Sequence, residues 1–169
     1  MPMLDAYIPD GALTPASEER LLAQLTDALI VNEGADPNNP QVRSIAWLFV
    51  HRPETVFVAG TRADVPRYRF VASVPEGQYD PERRQSMVQA ITEAVLDAEQ
   101  GAYDRDPSRI WVFTPEVPDG TWGALGRIVT LADIATFATG NAEHGREYAE
   151  QRLGQGRAPH PVRDTVAST

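Results

Sequence analysis

The stretch PDGALTP at residues 9–15 returns as PEGQYDP at 75–81, an offset of 66 residues. Pro9 matches Pro75, Asp10 matches Glu76, Gly11 matches Gly77 and Pro15 matches Pro81. The same offset aligns Leu25-Thr26-Asp27-Ala28 with Ile91-Thr92-Glu93-Ala94, and Arg43 with Arg109. A chain of 169 residues that repeats at this interval holds two copies of one supersecondary unit sharing a core.

Each copy reads the same way. LDAYI and YRFVASV are short runs rich in strand formers. A Pro-acidic-Gly turn ends each of them, with glycine free to take positive φ. Thr14-Pro15 and Asp80-Pro81 then supply an N-cap followed by proline in the first helical position. Glu18 and Glu19 add negative charge where the helix dipole favours it. Leu21, Leu22, Leu25, Ala28 and Leu29 fall at helical spacing, as do Met87, Val88, Ile91, Val95 and Leu96. SIAWLFV at 44–50 and RIWVFT at 109–114 close the units as second strands. The expected fold class is α+β: a tandem β-α-β repeat giving a four-stranded mixed sheet with two helices on one face. The other face carries Trp, Phe and Val, so a second copy of the chain is expected to cover it. ETVFVAG at 54–60 reads as a short edge strand, and helices are expected from about Leu131 and over 142–153. The expected division is a domain over 1–140, with pseudo-repeats 2–60 and 67–126, followed by a polar helix and tail over 141–169. The last residues, rich in Gly, Pro and Arg, are expected to be mobile or to lie on a neighbour.

Composition removes whole classes of chemistry. The chain has no cysteine, so disulfides, thiolate nucleophiles and cysteine-ligated metals are out. A net charge of −9 argues against a nucleic-acid surface. No apolar run reaches membrane-spanning length and no secretory leader is visible, which gives a cytoplasmic expectation. His144 and His160 are too loosely spaced for a metal site, and His51 reads as satisfied structure. No P-loop, dinucleotide fingerprint or Ser-His-Asp pattern occurs, and no cofactor or metal is expected.

Pro2, directly ahead of the first strand, has two readings. It can be a strand starter, since proline cannot donate to a ladder. It can also be a base, since trimming Met1 leaves it a free secondary amine. The repeat offers a control: Tyr68 occupies the equivalent position, so a strand here does not require proline at its start.

Pro2 before a strand, the two β-α-β units, and the stretches PMLDAYIPDGALTP, HRPETVFVAG, RIWVF and TWGALGR resemble the tautomerase superfamily. The similarity covers roughly residues 2–135 and is closest to the long two-unit members, related to cis-3-chloroacrylic acid dehalogenase, malonate semialdehyde decarboxylase and macrophage migration inhibitory factor. The resemblance implies a MIF-like fold, a homotrimer, and an amino-terminal proline in a pocket between subunits. It implies keto–enol tautomerisation without a cofactor, with Pro2 as general base. It also matches Phe57 to a pocket phenylalanine. Several family residues are replaced. Leu29 stands for a histidine, Phe113 and Ala124 for a tyrosine and a glutamate, and Ala12 and Ala46 for arginines of the short tautomerases. Val74 and Glu76 stand for the decarboxylase arginines. The aromatic, apolar set that remains suits a small enol or 2-oxo acid such as an aryl pyruvate. Phe57 and Phe113 are candidate pocket residues, and Arg127 is a candidate for a substrate carboxylate. Trp111 and Trp122 read as packing anchors, and Arg43 and Arg109 as symmetric structural residues. The alternatives are an inactive or promiscuous oligomer of this fold, a related hydratase or decarboxylase, and an unrelated ferredoxin-like dimer.

Overall fold

A computed structural model describes residues 2–155; the processing of Met1 and the tail with His160 lie outside the described residues. Four strands form the sheet: β1 (Met3–Tyr7), β2 (Trp47–His51), β5 (Tyr68–Pro75) and β6 (Ile110–Phe113), in the order β2-β1-β5-β6. β1 runs parallel to β2 and β5 parallel to β6, while the central pair β1–β5 is antiparallel. Two β-α-β units thus meet through their first strands in a mixed sheet. The short β7 (Glu116–Val117) extends the β6 edge along β5.

Helices α1 (Pro15–Asn32) and α3 (Pro81–Ala98) cover one face. The caps read from the sequence hold. Thr14 accepts from the Ser17 N–H at 3.2 Å, and Asp80 from the Arg83 N–H at 2.8 Å. Between strand and helix, Gly11 and Gly77 take φ of 72° and 83°, a turn conformation a side chain would strain. Leu21, Leu25 and Leu29 of α1 and Met87, Ile91 and Val95 of α3 recur every four residues and are fully buried. They meet Leu4, Ala6, Phe70, Ala72 and Val74, the inward residues of the two central strands. The alternate residues face the other way. There Trp47, Phe49, Trp111 and Phe113 remain exposed, the uncovered apolar face that the pattern anticipates.

The remaining elements are a short α2 (Pro40–Ser44), a 3-10 turn at Pro107–Arg109, two small hairpins and two terminal helices. The segment expected as an edge strand is instead a separate hairpin, β3 (Phe57–Val58) with β4 (Thr61–Arg62). A second hairpin pairs β8 (Trp122–Ala124) with β9 (Arg127–Val129). Helices α4 (Leu131–Thr139) and α5 (Ala142–Gln155) follow where helices were expected. α5 returns to the first turn of the second unit, where Arg152 donates to the Gly77 and Gln78 carbonyls at 2.6 and 2.8 Å. Among the described residues no helix is long and apolar enough to cross a membrane.

Strand register corrects the pairing of Arg43 with Arg109. Met3 lies opposite Trp47, and its counterpart Arg69 lies opposite Trp111. The offset is therefore 66 along the first strands but 64 along the second. The residue equivalent to Arg109 is Ile45. α2 is longer than the 3-10 turn that replaces it in the second unit, and the repeat slips there. The two arginines part accordingly. Arg109 is buried on Glu99, with both bonds at 2.6 Å, while Arg43 reaches the exposed Asp27 at 2.5 Å.

Candidate active site

Pro2 continues β1 by one residue toward the helix-covered face, and its ring is fully buried. Its carbonyl accepts from the Trp47 N–H at 3.2 Å, which ties it to the start of β2. Having no N–H, Pro2 leaves no ladder donor unpaired there.

Pro2 forms the floor of a cleft of about 450 Å3. Trp47 and Phe49 of β2 wall one side, and Trp122 and Leu125 of the β8–β9 hairpin with Phe137 of α4 wall the other. The walls are almost wholly apolar, and Arg127 and Asp133 bring its charges. Arg127 Nη1 lies 3.5 Å from Asp133 Oδ2. Asp133 is itself fixed as the third residue of a capping box, accepting from the Thr130 N–H and hydroxyl at 2.9 Å each. Those bonds, with Arg127 beside them, hold its carboxyl below the usual range. Asp133 therefore stays ionised and positions the Arg127 guanidinium at the cleft wall.

A second cleft of about 290 Å3 opens on another side of Pro2 and Ile45 and carries more polar side chains than the first. Glu33, the C-cap residue of α1, lines it with Asp36, Gln78, His144 and Tyr148. Burial, the largest of several influences on it, pushes the Glu33 carboxyl above its usual range. Tyr148 donates to Gln78 Oε1 at 2.9 Å, and the buried Gln78 Nε2 has no protein partner among the described residues.

Of the residues singled out from the sequence, Pro2 and Arg127 share a cleft. Phe57 and Phe113 do not line it in a single chain. Phe57 sits on the β3–β4 hairpin, 65% exposed, in a separate cleft of about 610 Å3 with Tyr68, Arg69 and Trp111. Phe113 lies on the open sheet face beneath the Arg69 guanidinium, 5.4 Å from its ring centre. Trp122 is a cleft wall rather than a core anchor, and Trp111 is 66% exposed. His51 is partnered as expected, 2.7 Å from Asp5 Oδ1 and stacked on Tyr7. Glu33 and Phe137 were not anticipated. A signal for Glu33 was present, since the 66-residue offset also matches it with Glu99. No group of His, Asp and Glu suited to a metal ion occurs among the described residues.

The family model described as Tautomerase enzyme matches residues 72–132, a stretch in the second unit that does not contain Pro2. No curated protein matches the chain. Among solved structures it is similar to N1, a member of the cis-3-chloroacrylic acid dehalogenase family. That likeness has a TM-score of 0.63 at 15% identity and covers 88% of this chain and 99% of the other. It is similar to Q0 fused 4-OT, a symmetric trimer, with a TM-score of 0.60 at 19% identity over 82% and 99%. It is also similar to macrophage migration inhibitory factor from Toxoplasma gondii, with a TM-score of 0.58 at 15% identity over 75% and 99%. The chain has the two-unit, MIF-like fold of the tautomerase superfamily, and the resemblance read from its sequence holds.

Proposed function

We propose that the chain is a cofactor-independent keto–enol tautomerase whose base is the secondary amine of Pro2, freed by removal of Met1. The observation that carries this reading is a fully buried Pro2 at the floor of an apolar, aromatic-walled cleft that also presents Arg127. A free α-amine has a pKa of about 8, and burial lowers it toward neutrality, where a base works best. In the keto-to-enol direction the nitrogen lone pair takes a proton from the carbon beside the carbonyl. The electrons of that C–H bond become the C=C bond, the carbonyl π pair moves to oxygen, and that oxygen takes a proton from the protonated prolyl nitrogen or from solvent. The reverse direction returns the proton to carbon. The substrate is a small enol or 2-oxo acid with an apolar or aryl body, such as an aryl pyruvate. The body lies between Trp47, Trp122 and Phe137, and the carboxylate on Arg127. A homotrimer fits the open sheet face and the trimeric state of the fused 4-OT neighbour.

Ketonisation of phenylenolpyruvate tests the reading, after intact mass has established loss of Met1. Replacing Pro2 by alanine is expected to lower kcat by about 10²- to 10⁴-fold, the usual contribution of a positioned base. Equal rates for Pro2→Ala and wild type would refute it.

A further inference from the structure

The second unit supplies an internal comparison for the surroundings of Pro2. By register, three positions correspond: Pro2 with Tyr68, Glu33 with Glu99, and Ile45 with Arg109. Glu33 and Glu99 are the C-cap residues of their respective helices, so the carboxylates start from the same place in the fold. In the second unit the three groups meet. The Tyr68 hydroxyl donates to Glu99 Oε1 at 3.0 Å, and Arg109 binds both Glu99 oxygens at 2.6 Å. The first unit keeps the carboxylate but changes the other two. An isoleucine replaces the guanidinium, and a proline next to the chain start replaces the tyrosine. Pro2, Ile45 and Glu33 line one cleft.

Resting on the reading of Pro2 as the base, we propose that Glu33 is the carboxylate partner of the Pro2 nitrogen. It takes at Pro2 the place that Glu99 takes at Tyr68. Once Met1 is gone, the prolyl amine supplies the positive charge that Arg109 supplies in the second unit. Glu33 accepts a hydrogen bond from the protonated ring nitrogen, orients the ring, and holds the proton that the nitrogen exchanges with substrate. It is a positioning residue, because it acts through Pro2. The other titratable and charged groups facing this cleft are Asp36, His144 and Tyr148; Arg83 and Tyr79 act on Glu33, and Arg127 and Asp133 lie across Pro2.

The test is an NMR titration of the Pro2 amine in full-length protein labelled with ¹⁵N-proline, read beside the pH profile of kcat/KM. An opposite charge favours the protonated amine. Glu33→Gln is therefore expected to lower the Pro2 midpoint by one pH unit or more, a tenfold loss of proton affinity. The acid limb of kcat/KM should move with it, and Glu33→Asp should lie between. Glu99→Gln, the matching change in the second unit, should lower thermal stability and leave the Pro2 midpoint where it is. An unchanged midpoint in folded Glu33→Gln overturns the pairing, as does a shift equally large in Glu99→Gln. If Glu33→Gln does not fold, Glu33→Asp carries the test, and an unchanged midpoint there overturns the pairing too. A Pro2→Ala enzyme with wild-type activity, or a mature chain that keeps Met1, refutes the base itself. An unmoved midpoint with activity still dependent on Pro2 refutes only the role of Glu33.

Discussion

Arg109→Met tests the reading of the second-unit cluster as a structural staple. The Arg109 side chain is 3% exposed and that of Glu99 1%. Besides its two bonds to Glu99, Arg109 donates to the Asp104 carbonyl at 2.8 Å and the Pro66 carbonyl at 3.4 Å. Methionine fills much of the volume but donates to none of these. Glu99 would keep a single donor among them, the Tyr68 hydroxyl, and its charge would be buried beside it. Breaking a buried pair by removing one partner costs about 3–5 kcal/mol. At about 2–4 °C per kcal/mol for a chain of this size, the melting temperature should fall by roughly 6–20 °C. The double change Arg109→Met with Glu99→Leu removes both charges and should recover much of that loss. Urea and thermal unfolding of the three proteins at one fixed concentration supply the measurement, since assembly would shift apparent stability with concentration. Tautomerase activity at 25 °C should persist in every protein that remains folded, because Pro2 lies at the other unit's helix end. A loss below about 1 kcal/mol for Arg109→Met, or a double variant as unstable as the single, would refute the argument that ionic burial dominates this site.

Two further outcomes follow from the clefts and the sheet. Arg127→Ala should raise KM for a 2-oxo acid by roughly 10- to 100-fold, the worth of a charge-assisted hydrogen bond, with a much smaller change in kcat; steady-state kinetics separates the two. If the proposed trimer buries the open sheet face, serine at both Trp47 and Trp111, which are 61% and 66% exposed, should leave the chain a monomer in sedimentation while wild type is a trimer.

The two β-α-β units were legible because their signals are local. Period-two alternation, recurrence every four residues and Pro-bearing caps all fall within short windows. The hairpins were not. β3 and β4 are two residues each, and their pairing depends on a turn with Ala59 at φ 50°, which no apolar pattern announces. The equivalence of Arg109 with Ile45 was hidden for a similar reason: a longer α2 shifts the register by two without disturbing either strand's pattern. Pro2 was legible from its position; the 66-residue offset carried a signal for Glu33 that went unread. The aromatic wall of the cleft was not, since Trp122 and Phe137 reach Pro2 from elements far along the chain.

Phe57 shows how the hairpins use the symmetry of the sheet. It was matched to the pocket of Pro2, yet it walls the cleft beside Tyr68. Each unit sends the hairpin that follows its second strand to the other unit's strand end. β3–β4, from the first unit, lines a cleft with Tyr68 and Trp111; β8–β9, from the second, lines one with Pro2 and Trp47. The chain thus builds two related clefts. At the base of one, tyrosine, glutamate and arginine bond to each other in a buried cluster. At the base of the other, proline, isoleucine and glutamate line a cleft. Groups that bond to one another in the interior stabilise a fold, whereas a titratable amine beside open volume can exchange its proton with a guest. The same backbone arrangement holds a staple in one unit and a candidate proton-transfer pair in the other, and the exchange of Arg109 for Ile45 and of Tyr68 for Pro2 separates them.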